Sequence, residues 1–140
     1  MVRFFYSGFI ILTLTLLSSC GSNGSETRFN AVTHFKRGNT YYHQHNVIAA
    51  IDEYKRAISL RPDQERFHYN LGLAYYSAVL YRQAIESYLN AINLNPEFAE
   101  AWYNLSLAFE KNDETEKAVL AYEKYQSLSQ HDTSKHPGGD

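Results

Sequence analysis

Tyr69-Asn70-Leu71-Gly72-Leu73-Ala74 returns 34 residues later as Tyr103-Asn104-Leu105-Ser106-Leu107-Ala108. The same shift maps Ala50 onto Ala84 and Ala118, Tyr54 onto Tyr88 and Tyr122, Gly38 onto Gly72 and Ser106, and Tyr41 onto Tyr75 and Phe109. Pro62 maps onto Pro96, while Ala57 maps onto Ala91 and then onto Tyr125, and Gln130 stands where a third proline belongs. The chain therefore holds three units, residues 31–64, 65–98 and 99–132, the last degenerate only near its end.

Within each unit the apolar residues fall at helical intervals. Phe67, Leu71, Ala74 and Ala78 share one face, and Ala84, Tyr88, Ala91 and Leu94 another, at steps of three or four. Small residues at Gly38, Gly72, Ser106, Ala50, Ala57, Ala84, Ala91 and Ala118 suit antiparallel helices in close approach, since interaxial distance follows side-chain size. Tyr54, Tyr88 and Tyr122 supply the large half of that interlock. Pro62 and Pro96 stop the second helices of their units, and Asp113 with Glu116 has the spacing of a capping box. These signals predict helices over residues 28–43, 46–60, 65–78, 81–94, 99–111 and 114–128, with joins that fit only tight antiparallel hairpins. Residues 131–140 lack apolar periodicity and read as a disordered tail. Nothing then covers the last hairpin, which leaves Leu120, Tyr125 and Leu128 partly exposed.

The pattern resembles the tetratricopeptide repeat family. Leu71, Gly72, Tyr75, Ala84, Tyr88, Ala91 and Pro96 carry the resemblance in the second unit, and Trp102, Leu105, Ser106, Phe109, Ala118 and Tyr122 in the third. It covers residues 31–130 and is weakest at the entrance of the first unit, where His34 and Arg37 replace the bulky residue and the Leu. A terminal unit, which lacks a neighbour on one side, tolerates that. The resemblance implies an all-α fold: a right-handed superhelical stack of three antiparallel helix hairpins, an α-solenoid. It also implies a non-enzymatic scaffold whose concave face, lined mainly by the first helix of each unit, holds a peptide or another protein. One subclass clamps the C-terminal carboxylate of chaperones with two Asn and several Lys or Arg. Asn39 and Asn70 resemble that Asn pair. Phe35, Glu100 and Asn104 stand where the basic residues belong, so the charge-assisted grip is missing.

The period stacks Phe35, Tyr69 and Tyr103 on successive first helices, with Asn39, Tyr42, Asn70, Tyr76 and Asn104 beside them. Such a trough suits an extended or helical peptide, because rings supply contact area while hydroxyls and amides bond peptide groups. The competing reading is that some of these rings only fill the space between hairpins. The open last hairpin is a second candidate surface, suited to self-association into a homo-oligomer.

Composition narrows the remaining classes. The chain has 140 residues, 44% apolar and 20% charged, a single-domain length without the signature of disorder. A net charge of -2 gives no electrostatic case for nucleic acid. The charge is uneven: residues 26–82 carry eight Lys/Arg and five Asp/Glu, residues 83–140 four and ten. A single Cys excludes an intramolecular disulfide framework. His43 and His45 flank Gln44, and His34 and His68 share a register, but no third ligand has metal-site spacing. These histidines read as solvent-exposed. No nucleophile elbow or phosphate loop is present, and no cofactor is expected.

Residues 1–19 read as a signal peptide, with Arg3 ahead of a charge-free apolar stretch from Phe4 to Leu17 that is short for a bilayer span. Leu17-Ser18-Ser19-Cys20 resembles the bacterial lipobox, which implies lipidation of Cys20, the only Cys in the chain. Gly21 follows instead of the Asp associated with inner-membrane retention, so the implied location is the outer membrane, facing the periplasm. Residues 20–27 would form a lipidated tether, and residues 28–130 the repeat domain. Among lipoproteins built from these repeats, the resemblance extends to pilotins that escort secretin rings and to adaptors that recruit periplasmic enzymes. Metabolic labelling with a palmitate analogue tests the anchor: the label should be present in the wild type and absent from Cys20→Ala. Equal labelling of both overturns it.

Overall fold

The structure is a computed structural model that describes the backbone of residues 23–135 and the side chains of 24–130. Cys20 and the segment read as a signal peptide lie outside the described residues. Six helices follow one another: α1 (Asn23–His43), α2 (Val47–Leu60), α3 (Glu65–Ser77), α4 (Tyr81–Leu94), α5 (Ala99–Lys111) and α6 (Thr115–Lys135). They pair as hairpins α1–α2, α3–α4 and α5–α6, and the hairpins stack through α2 on α3 and α4 on α5. Among the described residues, α1 touches α3 and α3 touches α5, whereas α2, α4 and α6 do not touch one another. The first helices therefore line the inner curve of the stack.

The hairpins turn on one device used three times. His45, Val79 and Asp113, spaced by the repeat length, adopt positive φ of 60°, 63° and 61°. In each, the left-handed residue donates to a carbonyl three residues back, and the next residue donates to one five back: His45 to Tyr42 and Asn46 to Tyr41, Val79 to Tyr76 and Leu80 to Tyr75, Asp113 to Glu110 and Glu114 to Phe109. This is the Schellman arrangement. Asn46, Leu80 and Glu114 then accept the first bond of the following helix, from Ala50, Ala84 and Ala118. The N-cap of α6 is thus Glu114, one residue past the Asp113 that the capping-box spacing picks out, because Asp113 is occupied with ending α5.

The helix ends differ from expectation at the two extremities. α1 begins at Asn23, so the second half of the segment read as a tether is helical. α6 runs to Lys135, five residues into the segment read as a disordered tail. Pro62 and Pro96 follow the C-caps Arg61 and Asn95 and end α2 and α4, since proline lacks the amide hydrogen a helix needs. Gln130 carries no such stop.

The core is a ring-in-notch interlock. A Cβ at Gly38 would lie 2.5 Å from Tyr54 Cε1, and one at Gly72 would lie 2.5 Å from Tyr88 Cε1. Tyr54 and Tyr88 are accordingly the largest fully buried rings, flanked by Ala50, Ala57, Ala84 and Ala91 at 0% exposure. The third copy departs from this pattern. Ser106 is buried, but Tyr122 is 44% exposed and Ala118 is half-buried. Ser106 carries the Cβ that the notch excludes, and no further hairpin follows α6 among the described residues. Tyr122 instead leans on Tyr103 and Tyr125 at 6.4 and 5.8 Å.

The opposite end closes differently. Glu53 is buried and holds His34 at 2.7 Å, Arg37 at 3.2 Å and Arg56 at 3.9 Å. His34 and Arg37, the departures from the repeat pattern, therefore serve a polar end-cap on the face where, among the described residues, no preceding hairpin packs. No helix among the described residues is long and apolar enough to cross a membrane.

Two substitutions test this packing. Gly72→Ala inserts a methyl into the Tyr88 ring and should lower the thermal midpoint, overpacking being worth about 1–3 kcal/mol. Gly24→Ala, with nothing within 4 Å of its Cβ, should hold or raise it, and equal shifts would refute the notch. Val79 is a β-branched residue in the left-handed region, where strain of about 1–3 kcal/mol is usual. Val79→Asn should therefore raise the midpoint by a few degrees in calorimetry.

Candidate functional site

The residues proposed for the trough fall on α1, α3 and α5, and hydrogen bonds tie them across successive first helices. Tyr42 Oη lies 3.0 Å from Ser77 Oγ. Asn39 Oδ1 accepts from Tyr54 Oη and from Asn70 Nδ2, each at 2.8 Å. Asn104 Nδ2 donates to Tyr69 Oη at 3.0 Å and to the Glu100 carbonyl at 2.8 Å. The Asn pair that resembled a carboxylate clamp is thus engaged within the protein, amide to amide.

The rings divide between packing and exposure. Phe35 stacks on Phe67 at 4.7 Å and tilts against Tyr54 at 5.8 Å. Tyr69 lies between Tyr88 at 5.9 Å and Phe98 at 4.8 Å. Each of these rings bridges its own hairpin and the next segment, so space-filling explains much of their contact. Tyr76 meets Tyr81 edge-on at 5.3 Å. No hairpin follows Tyr103's own among the described residues, and Tyr103 is 39% exposed; Tyr125, which breaks the Ala57–Ala91 register, comes within 5.2 Å of it. Phe35, Asn39, Tyr42, Tyr69, Asn70, Tyr76 and Asn104 are all half-buried. The trough is therefore a surface of ring edges, hydroxyls and amides, opening most widely at Tyr103.

Burial governs its ionisation. It pushes the Tyr54 phenol up to about 12. Tyr69 is raised as well, first by burial and then by the Glu100 carboxylate. These groups stay neutral at physiological pH and act as hydrogen-bond partners, not charges.

Two features escaped the sequence reading. His34 and His68, expected in solvent, are half-buried: His34 pairs with Glu53, and His68 Nε2 lies 2.8 Å from the Pro62 carbonyl. Trp102, one repeat on, makes the equivalent bond from Nε1 to the Pro96 carbonyl at 2.9 Å. On the far side from the trough, α2, α3 and α4 bound an open cleft of about 320 Å³ lined by Lys55, His68, Tyr75, Glu86 and Asn90 among others. The 34-residue register between His68 and Trp102 was the signal available for the loop bond. Among the described residues no group of three His, Cys, Asp or Glu could hold a metal.

Comparison with known proteins agrees with this architecture. The TPR repeat family model matches residues 38–78 and 81–113, and a tetratricopeptide repeat model matches 99–132. No curated protein sequence matches the chain. Among solved structures, MamA superposes with a TM-score of 0.74 at 29% identity over 77% of this chain and 63% of that one. The chain thus spans less than two thirds of MamA. The Sgt2 TPR domain from Aspergillus fumigatus gives 0.68 at 26% identity, over 71% of this chain and 66% of that one. The second TPR of Spaghetti (RPAP3), bound to the HSP90 peptide SRMEEVD, gives 0.72 at 21% identity, over 75% and 96%, a likeness of fold.

The shared acceptor at Asn39 supplies a test. Asn39→Leu removes it and leaves the Tyr54 hydroxyl and the Asn70 amide unpaired, at about 1–3 kcal/mol of stability. The midpoint should fall, and adding Tyr54→Phe should recover part of the loss. A double variant that melts below the single one contradicts the bond assignment.

Proposed function

Because the chain belongs to the tetratricopeptide repeat family, we propose that it is a non-enzymatic module that binds a protein or peptide along its concave, tyrosine-lined trough. The observation that carries this is the run of half-buried rings and amides on α1, α3 and α5, ending in the exposed Tyr103. Neutral phenols and amides can bond a peptide main chain, and their rings can cover its side chains.

The HSP90 peptide held by the Spaghetti domain is not the ligand expected here. Asn39 and Asn70 bond each other, and Phe35, Glu100 and Asn104 offer no positive charge to a carboxylate. The ligand is instead read through main-chain groups and apolar side chains.

The lipobox-like Leu17–Cys20 segment supports a module tethered by lipid to a bacterial envelope membrane, the outer one being favoured by Gly21. In that setting the module is an adaptor in the assembly of an envelope complex, of the pilotin or enzyme-recruiting kind.

A second reading, self-association, is favoured by one comparison. Ile51, Ile85, Tyr54 and Tyr88 are 9% exposed or less, whereas their third-repeat equivalents Val119 and Tyr122 are 53% and 44% exposed. The face that is buried twice under a following hairpin is open at the end of the stack.

The two readings separate by mutation. Crosslinking in the native cells should capture partner proteins with the wild type, and the double variant Tyr69→Ala, Tyr103→Ala should reduce capture at least ten-fold while the helical CD spectrum persists. Undiminished capture overturns the trough reading. If only copies of the chain are captured, and Val119→Glu with Tyr122→Glu abolishes them, the self-association reading replaces it.

A further inference from the structure

Among the described residues, one buried side-chain polar atom has no hydrogen-bond partner: the hydroxyl of Tyr88. The residue is fully buried, and phenylalanine would fill the same notch against Gly72 without stranding a polar group. Its repeat equivalent shows what is missing. Tyr54 donates to Asn39 Oδ1 at the seam between α1 and α3, and Asn70 of α3 donates to the same oxygen. One repeat later the ring and its notch persist, but the position of Asn39 is taken by Leu73, which packs against the core cluster containing Tyr88. Asn104, the equivalent of Asn70, turns to Tyr69 and Glu100. The seam between α3 and α5 thus keeps a donor and has lost its acceptor.

The register places this hydroxyl on the inner curve, beside Tyr69 and Asn104 of the trough. Burial and the neighbouring phenols Tyr69, Tyr42 and Tyr76 push its pKa far up, so it remains an O–H donor. The seam also holds Glu100, whose carboxylate raises Tyr69, which disfavours an anionic partner. A neutral acceptor suits the place. The commonest neutral acceptor on a bound peptide is a main-chain carbonyl.

We propose that Tyr88 is a reading group of the trough: a bound peptide sets a main-chain carbonyl oxygen at the α3–α5 seam, the half-buried Leu73 side chain moves aside, and the Tyr88 hydroxyl donates to that oxygen as Tyr54 donates to Asn39. This rests on the trough reading above and adds to it the position and chemistry of one contact. An unmade bond to a buried donor weakens the free fold, and making it on binding converts that deficit into affinity. Peptides that cannot present a carbonyl there are discriminated against for the same reason.

The test uses a random dodecapeptide display library selected on the full chain, with the enriched peptides then titrated by fluorescence anisotropy. Tyr88→Phe should melt no lower than wild type without peptide, yet bind the selected peptides at least about five-fold more weakly. Leu73→Asn returns an internal acceptor, so it should melt higher and also bind more weakly. Wild-type affinity in both variants overturns the proposal. So does a lower midpoint for Tyr88→Phe, because the hydroxyl would then be satisfied in the free protein, as by a buried water. If Tyr69→Ala with Tyr103→Ala abolishes peptide binding while Tyr88→Phe leaves it intact, the trough stands and the carbonyl contact falls. A library that yields no peptide dependent on Tyr69 and Tyr103 overturns both.

Discussion

The fold depends on a tyrosine ring seated against a glycine. At Gly38–Tyr54 and again at Gly72–Tyr88 the ring occupies the space a methyl group would need, so the two helices of a hairpin approach more closely than any side chain at that position would permit. The seated ring also reaches the concave face, where the Tyr54 hydroxyl bonds Asn39, which in turn bonds Asn70 of α3. On that face the Asn39–Asn70, Tyr42–Ser77 and Tyr69–Asn104 bonds all span first helices. Where serine replaces the glycine, at Ser106, the tyrosine lies partly in solvent and the stack ends in an exposed aromatic cluster.

The two ends of the stack solve the terminal problem by different chemistry. Every hairpin has one face prepared for its neighbour, and a terminal hairpin must cover or solvate the spare one. At the first hairpin, Glu53 is buried beneath His34 and Arg37, and the outer face of α1 carries Thr33 and Thr40, whose hydroxyls bond back to Phe29 and Lys36 carbonyls. At the last hairpin the spare face retains Val119, Tyr122 and Tyr103. The first end gathers charged groups around a buried carboxylate, with Phe29 and Ile48 exposed on the same hairpin, and the second exposes an aromatic and aliphatic face.

The hairpins were legible in the sequence because small and large residues alternate at a fixed period, and steric fit of that kind is written directly in residue size. Pro62 and Pro96 marked two helix ends for the equally local reason that they lack a donor. The end of α6 was not legible: polar residues from Gln130 onward read as a tail, yet polar residues also continue a helix already under way when no proline or glycine intervenes. The trough was legible as a set of positions but not as a surface. Register placed Phe35 beside Tyr69, but the depth of each ring depended on Phe67 and Phe98 from the following segment. The Asn39–Asn70 bond was hidden for a related reason, since two amides one repeat apart can face a ligand or each other. The change from Asn39 to Leu73 was visible all along, and it was the signal that the second seam differs from the first.

The loop bonds made by His68 and Trp102 have a mechanical consequence. Each fastens the start of a hairpin to the proline carbonyl that ends the one before it, and each Schellman turn lets a single residue close one helix and open the next. Both kinds of joint are closed by hydrogen bonds. The spacing between successive first helices is therefore held by these side-chain-to-loop bonds together with inter-hairpin packing, and the stack acts as a ruler more than as a clasp. A ligand that engages two repeats must carry its own groups at the interval the stack dictates, and one residue inserted at any joint would put every later mark out of phase.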